Sequence, residues 1–444
     1  MEKTYDLTNG SVPKLILRFF FPILFTNLLQ QVYSMADTVI VGKGLGDRAL
    51  GAVGNLSSLT LLVIGFCTGM MGGFSIVIAQ RYGSGDRCAL RQSIALTVKL
   101  SAVLCILLTL VGILFLRPVL LLIRTGEEIL DDSLLYGYII LGGLTATAAY
   151  NLCTSILRAL GDSRTPFHAI IISSAVNILL DCFLIFGLGT GVEGAAAATV
   201  FSQALSALIC YRKLHRIDLI RLRREDFRSD AATYRELLKN SLPTAYMNSL
   251  IAVGCMIVQG FINNLGVVYT SAYSACSRYL NLFILPGITV GSALLTFTSQ
   301  NYGAKKPERI REGMRFGAML SILFYLLSLA AIYPFAETLA GAILNEAETI
   351  RLTSGYLRVI AASLFLVNFL FLLRNCVQGM GHPLIPMCSG IAEMILRIPI
   401  MMYFLPRTGF SAAAWAEVAA WTGSLLLNGI ALRFYIRPSG RKNL

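Results

Sequence analysis

Residues Leu15 to Gly46 read LILRFFFPILFTNLLQQVYSMADTVIVGKGLG, and this stretch decides the fold. From Phe19 to Ala36 it carries 18 residues without a charge. As a helix rising about 1.5 Å per residue, that is enough to cross most of a hydrocarbon layer roughly 30 Å thick. Asp37 then follows before the crossing is complete. A carboxylate at that depth costs roughly 3 kcal/mol on insertion scales. Protonating an ordinary Asp at pH 7 costs about 4 kcal/mol, at about 1.36 per pKa unit. Because these penalties nearly match, Asp37 is poised for neutralisation by a proton or by a bound cation, and its neighbours decide which.

The remainder of the chain is as apolar as this stretch. Of 444 residues 56% are hydrophobic and 14% charged, and the mean hydropathy is +0.69, against the roughly 25% charged usage of soluble domains. This composition predicts an integral membrane protein. A net charge of +13 would suit nucleic acid if it lay on one face or tail, but the bases fall in short gaps between apolar runs and read as topology signals. The ten cysteines form no CxxC pair and lie mostly inside apolar runs, as small buried hydrophobes do. Lys3, Lys14 and Arg18 before an apolar run mimic a signal peptide. The run is too long for one, and no small-residue cleavage site follows, so it reads as the first helix.

Breaks at charges, Gly and Pro predict twelve spans, near 15–43, 50–79, 93–116, 131–155, 166–188, 192–211, 240–265, 272–299, 315–337, 350–376, 384–405 and 411–434. With a cytoplasmic N-terminus, the inner segments hold 27 bases and the outer ones six (Lys43, Arg48, Arg117, Arg124, Arg351 and Arg407), so both termini are expected in the cytoplasm. The second half repeats the first at a shift of 220 or 221: Pro22 with Pro243, Asn27 with Asn248, Gln80-x-Tyr82-Gly83 with Gln300-x-Tyr302-Gly303, Gly161 with Gly381, Pro166 with Pro386. Six spans is an even number, so the repeats run parallel, related by a pseudo-two-fold axis normal to the membrane. The expected architecture is an all-α membrane protein with an N-terminal lobe over 1–211, a cytoplasmic linker over 212–239 and a C-terminal lobe over 240–444.

Asp181, Glu393 and Glu417 are the other acids well inside spans. Asp37 lies about 13 Å, and Asp181 about 9 Å, from the outer ends of their spans. Asn177 is one turn deeper than Asp181 on the same face, and Thr199 lies in the next, returning span. All-oxygen ligation suits a hard cation, and two nearby carboxylates resist joint ionisation, which favours a shared proton. Both guests stay open, as does the plainer reading that the acids only lock the bundle by hydrogen bonds. Glu393 and Arg397, four apart, form an ion pair of structural character. Lys99 and Arg278 snorkel to an interface, and no partner for Glu417 is evident. Gly189 to Gly194 fits GxGxxG but joins two spans, where a dinucleotide site needs a βαβ unit. The bases from Arg221 to Arg228 read as a topology determinant, with anionic lipid as the alternative. There is no HExxH, P-loop or nucleophile elbow, and His168, His215 and His382 do not cluster, so no enzyme is expected.

Pro22 and Asp37 in span one, Gln80-Arg81-Tyr82-Gly83 closing span two, and LRALGDSRTP from Leu157 to Pro166 resemble the MATE (multidrug and toxic compound extrusion) family over essentially the whole chain, its DinF-like prokaryotic branch above all. The resemblance implies a cation-coupled antiporter, driven by H+ or Na+, that exports amphipathic, often cationic organic compounds by alternating access. It implies coupling by Asp37, Asn177, Asp181, Ala195 (through its backbone carbonyl) and Thr199. With Na+ the metal ligands are Asp37, Asn177, Asp181 and Thr199. Glu393 and Arg397 match a polar pair of the second lobe. Spans seven, eight and ten carry no acid, unlike NorM-like and eukaryotic relatives.

The expected partners are small organic substrates and the lipid bilayer, without nucleic acid or cofactor, for a monomer in the plasma (inner) membrane. A flippase or exporter of a lipid-linked precursor or specific endogenous metabolite is the alternative, with Lys99, Arg278 and Arg397 as its only basic candidates. A receptor is disfavoured by the duplication, and a multi-pass enzyme by the missing catalytic constellation.

Overall fold

The computed structural model describes residues 6–122, 125–228 and 231–435, without the side chains of residues 47, 57, 58 and 435. Lys3, Arg124 and the bases beyond Tyr435 lie outside the described residues. Apolar runs of this length satisfy their backbone only internally, and the described regular structure is all helical. Among the described residues ten helices are long and apolar enough to cross a membrane by themselves: α1 Val12–Gly46, α2 Arg48–Ser84, α3 Arg87–Leu122, α5 Arg164–Gly187, α6 Val192–His215, α7 Ala231–Asn263, α8 Val267–Gly303, α9 Pro307–Ile332, α10 Ala347–Gly379 and α11 Leu384–Thr408. The fourth expected span is a pair, Glu127–Gly142 and Leu144–Ala159, bent by 42°, and is called α4. The twelfth, α12, is Ser411–Tyr435. It falls short on composition because it carries Glu417 and Asn428, both buried. The chain is a multi-pass membrane protein.

Two compact units emerge, residues 21–245 and residues 7–20 with 246 onward. They differ from lobes cut at 211 and 240 in two places. The first turns of α1 belong to the second unit, and the first half of α7 belongs to the first. The changeovers fall beside Pro22 and Pro243, repeat counterparts that each remove a helix hydrogen bond and loosen the ladder there. Hydrogen bonds seat the incoming segment in the second unit. The Leu7 amide donates to Gln300 Oε1 at 2.9 Å, Asn301 Nδ2 to the Leu7 carbonyl at 3.2 Å, and Arg309 Nη1 to the Gly10 carbonyl at 2.9 Å. The linker expected over 212–239 is shorter than that at both ends, because α6 and α7 continue through their charged ends. It is tied down by Asp226, which accepts from the Arg223 amide at 2.7 Å and from Arg91 at 3.4 Å.

In the first unit α4 and α5 pack on α6. Gly46, at φ 83°, divides α1 from α2 in a conformation that side-chain-bearing residues rarely adopt. Near its end α1 comes very close to α5: a Cβ on Gly44 would stand 2.5 Å from Ile185 Cγ2. In the second unit α8, α10, α11 and α12 surround a core that includes Val258, Tyr356, Met401 and Trp421. Large apolar side chains such as Val103, Leu107, Leu110 and Leu114 on α3 are exposed on the chain's own surface, as lipid contact requires.

Candidate functional site

Asp37 on α1 and Asp181 on α5 are brought together. Their carboxyl groups are near enough to share a hydrogen bond once one of them carries a proton. As carboxylates they have no donor between them. Asp181 is fully buried, and both its oxygens and Asp37 Oδ1 lack any hydrogen-bond partner. Asn177, one turn earlier on α5, is also fully buried, with both amide atoms unpartnered. Such orphaned polar atoms are rare in folded proteins and cost about 1–3 kcal/mol each. Directly after Asp181 the helix widens into a π turn over Cys182–Gly187, a distortion that recurs at functional sites.

One turn beyond the acids is an apolar layer. Val41 follows Asp37 and Ile185 follows Asp181, and they pack with Ala49, Val192 and Ala195. On the opposite side lie Tyr33, beside the Thr199 hydroxyl, and Tyr136, both within the electrostatic reach of the two acids. These three residues line a cavity of about 590 Å³ that continues along α4 to Arg158. The donor set is therefore hard oxygen, sealed on one side and bordered by a polar cavity on the other, which suits a proton or a small hard cation. Among the described residues no three His, Cys, Asp or Glu side chains gather as a metal site.

The internal repeat tests whether the fold needs these acids. At the shift that aligns Pro22 with Pro243, Asp37 falls on Val258. At the shift that aligns Pro166 with Pro386, Asp181 falls on Met401. Val258 and Met401 are 1% and 0% exposed in one apolar core. The same positions are filled without charge in the second unit, so packing alone does not call for carboxylates in the first.

The second unit places its buried charge differently. Glu393 does pair with Arg397, at 3.8 Å, but its tighter partner is Arg374, and Arg397 binds Glu417 at 2.7 Å. The expected isolated pair is thus the middle of a four-residue chain on α10, α11 and α12. All four side chains are 4–5% exposed or, for Glu417, equally buried, and Ser389 and Ser424 accept from Arg374. Glu417 has its partner here. Arg374 is buried rather than serving as an inner-loop base. Its acidic partner Glu393 lies 19 residues away on another helix, a pairing that spacing along one helix does not reveal. Lys99 and Arg278 are exposed, and neither they nor Arg397 line the cavity. The Gly189–Gly194 segment is the turn between α5 and α6, where the Thr190 hydroxyl donates to the Leu184 carbonyl at 2.8 Å. Arg158 and the tyrosines of the cavity were not singled out by sequence. Arg158 read as one more inner base, and its only distinguishing sign is that its repeat counterpart is the neutral Gln378.

Known proteins resemble the chain along its whole length. The Bacillus subtilis (strain 168) protein named "Probable multidrug resistance protein YoeA" is 27% identical over 435 residues, covering 96% of this chain and 94% of that one. A protein of Shewanella oneidensis named "FAD transporter" is 23% identical over 412 residues, covering 89% and 88%. The crystal structure titled "Crystal structure of MATE in complex with MaL6" has the same fold, with a TM-score of 0.92 at 22% identity over 98% of this chain and 99% of that one. One family model, MatE, matches residues 22–183 and again residues 243–403. Since the two matches start 221 residues apart, in the register of the internal repeat, the chain belongs to the MatE family.

Proposed function

We propose that this protein exports amphipathic organic compounds across the plasma membrane by alternating access, driven by H+ or Na+ that enters at Asp37 and Asp181. The observation that carries this is the pair of adjacent carboxyls with three orphaned buried oxygens, where the second repeat has Val258 and Met401. A proton bridges the two acids. Alternatively a sodium ion takes both carboxylates with the Asn177 and Thr199 oxygens and the Ala195 carbonyl. Either guest removes charge from a site of low dielectric, changes how α1 packs against α5, and favours release of substrate outward. One charge moving down 100 mV supplies about 2.3 kcal/mol, roughly a fiftyfold gradient of a neutral substrate. The excess of bases in the expected inner segments supports cytoplasmic termini. The name of the Bacillus relative supports drugs as cargo, while that of the Shewanella relative favours a second reading, export of a specific metabolite.

Ethidium uptake into inside-out vesicles, driven separately by a sodium and a pH gradient, tests the proposal. One gradient should drive uptake and Asp37→Asn should abolish it. Uptake that ignores both gradients, or that survives in Asp37→Asn at the wild-type rate, would overturn it.

A further inference from the structure

The first unit's cavity holds a cation that ion coupling does not use. Arg158 sits on the last turn of α4, and its Nε is buried without a hydrogen-bond partner. Among the described residues none of the side chains lining the cavity is acidic. The acid nearest in sequence, Asp162, is committed elsewhere: Oδ1 accepts from the Arg164 and Thr165 amides at 3.0 Å each, and Oδ2 from the Thr165 hydroxyl at 2.6 Å. A guanidinium cannot shed its charge, so inside a membrane protein it calls for an anion.

A base in the last turn also complements the helix dipole, but the repeat argues against that as its reason. At the shift that aligns Gly161 with Gly381, Arg158 corresponds to Gln378. The second unit therefore ends the equivalent helix without a charge. A second orphan, Gln203 Oε1, borders the same cavity and asks for a donor. At about 590 Å³ the cavity falls within the roughly 300–1,000 Å³ of small-molecule sites. Tyr136 and Tyr150 supply flat apolar walls, and Asn27, Gln30 and Asn151 supply amides. From Thr147 to Arg158 the lining runs about 16 Å along α4, at about 1.5 Å per residue. A bound anion thus sits at the far end from Tyr136 and the carboxyl pair.

We propose that Arg158 recognises a phosphate or carboxylate group on an amphipathic substrate, whose body lies along the cavity toward Tyr136. This rests on the exporter reading and adds the charge of the cargo. FMN and riboflavin share a ring system and differ by one phosphate, so they form the probe pair, titrated by flavin fluorescence into the full chain in phosphatidylcholine nanodiscs. FMN should bind about tenfold to a hundredfold tighter than riboflavin. Arg158→Gln, matching Gln378 of the second repeat, should erase that preference by bringing FMN down to the affinity of riboflavin, with an unchanged thermal melt reporting an intact fold. Arg158→Lys should retain part of it, and inorganic phosphate should displace FMN but not riboflavin. Nanodiscs doped with phosphatidylglycerol separate the sources of the group. Unchanged FMN affinity there assigns the site to a water-soluble anion, and an Arg158-dependent loss assigns it to a lipid headgroup. Equal binding of the two flavins, no FMN binding at 1 mM, or a preference that survives in Arg158→Gln would overturn the proposal. Binding is read without transport, so that failure would leave the ethidium test of export untouched.

Discussion

Replacing Asp181 by Asn should make the protein more stable, and replacing Glu417 by Gln should make it less so, although both acids are buried. Asp181 is 0% exposed and neither of its oxygens has a donor, so its charge is held at a cost of roughly 3 kcal/mol. An amide of the same shape recovers about 1–2 kcal/mol of that, the rest being lost to the amide's own burial. Glu417 instead accepts from Arg397 at 2.7 Å in a chain whose two acids and two bases balance. Neutralising it leaves one net positive charge buried, at about 3–5 kcal/mol. For a unit of roughly 200 residues each kcal/mol is worth about 2–4 °C. The expected shifts are therefore up by about 2–8 °C for Asp181→Asn and down by about 6–20 °C for Glu417→Gln. Both tryptophans, 415 and 421, lie on α12, so intrinsic fluorescence follows the second unit. A thiol-reactive dye reads the buried thiols of both units, Cys67, Cys105, Cys153 and Cys210 of the first and Cys276 and Cys376 of the second, so a dye transition absent from the fluorescence melt reports the first. If Asp181→Asn melted lower by as much as Glu417→Gln, Asp181 would be a lock of the bundle and the reasoning would fail.

Two further perturbations follow from the packing. Gly44→Val places a Cβ 2.5 Å from Ile185 Cγ2. It should wedge α1 from α5 at a cost of about 1–3 kcal/mol and slow ethidium efflux, read in whole cells at matched expression. Arg374→Leu should cost about 3–5 kcal/mol by stripping Glu393 of its tighter partner, and the double variant Arg374→Leu/Glu393→Leu should recover most of it in the same melting assay.

The residues that sequence revealed are those whose signal is local or periodic. Asp37 stands out because it interrupts an uncharged run, and the shift of 220 or 221 stands out because proline and glycine recur in register. Whether Asp37 met Asp181 depended on how α1 and α5 face each other, which the close approach at Gly44 provides. The exchange of residues 7–20 into the second unit left no local trace, since its hydrogen bonds reach some 300 residues ahead to Gln300 and Arg309. The same holds for Arg374, Glu393, Arg397 and Glu417. Only one of their contacts is an i,i+4 spacing, and it is the longest of the three. The bend at Gly143 divides one apolar run without any polar break, so composition could not mark it.

The most direct measurement of the central claim is the affinity for ethidium as a function of the coupling ion, titrated once with pH and once with NaCl at constant ionic strength. If one positive guest at Asp37 and Asp181 excludes the substrate-loaded state, wild-type affinity should weaken about tenfold per tenfold rise in one of the two ions, and Asp181→Asn should show no such slope. A slope that persists unchanged in Asp181→Asn would place the coupling elsewhere in the chain.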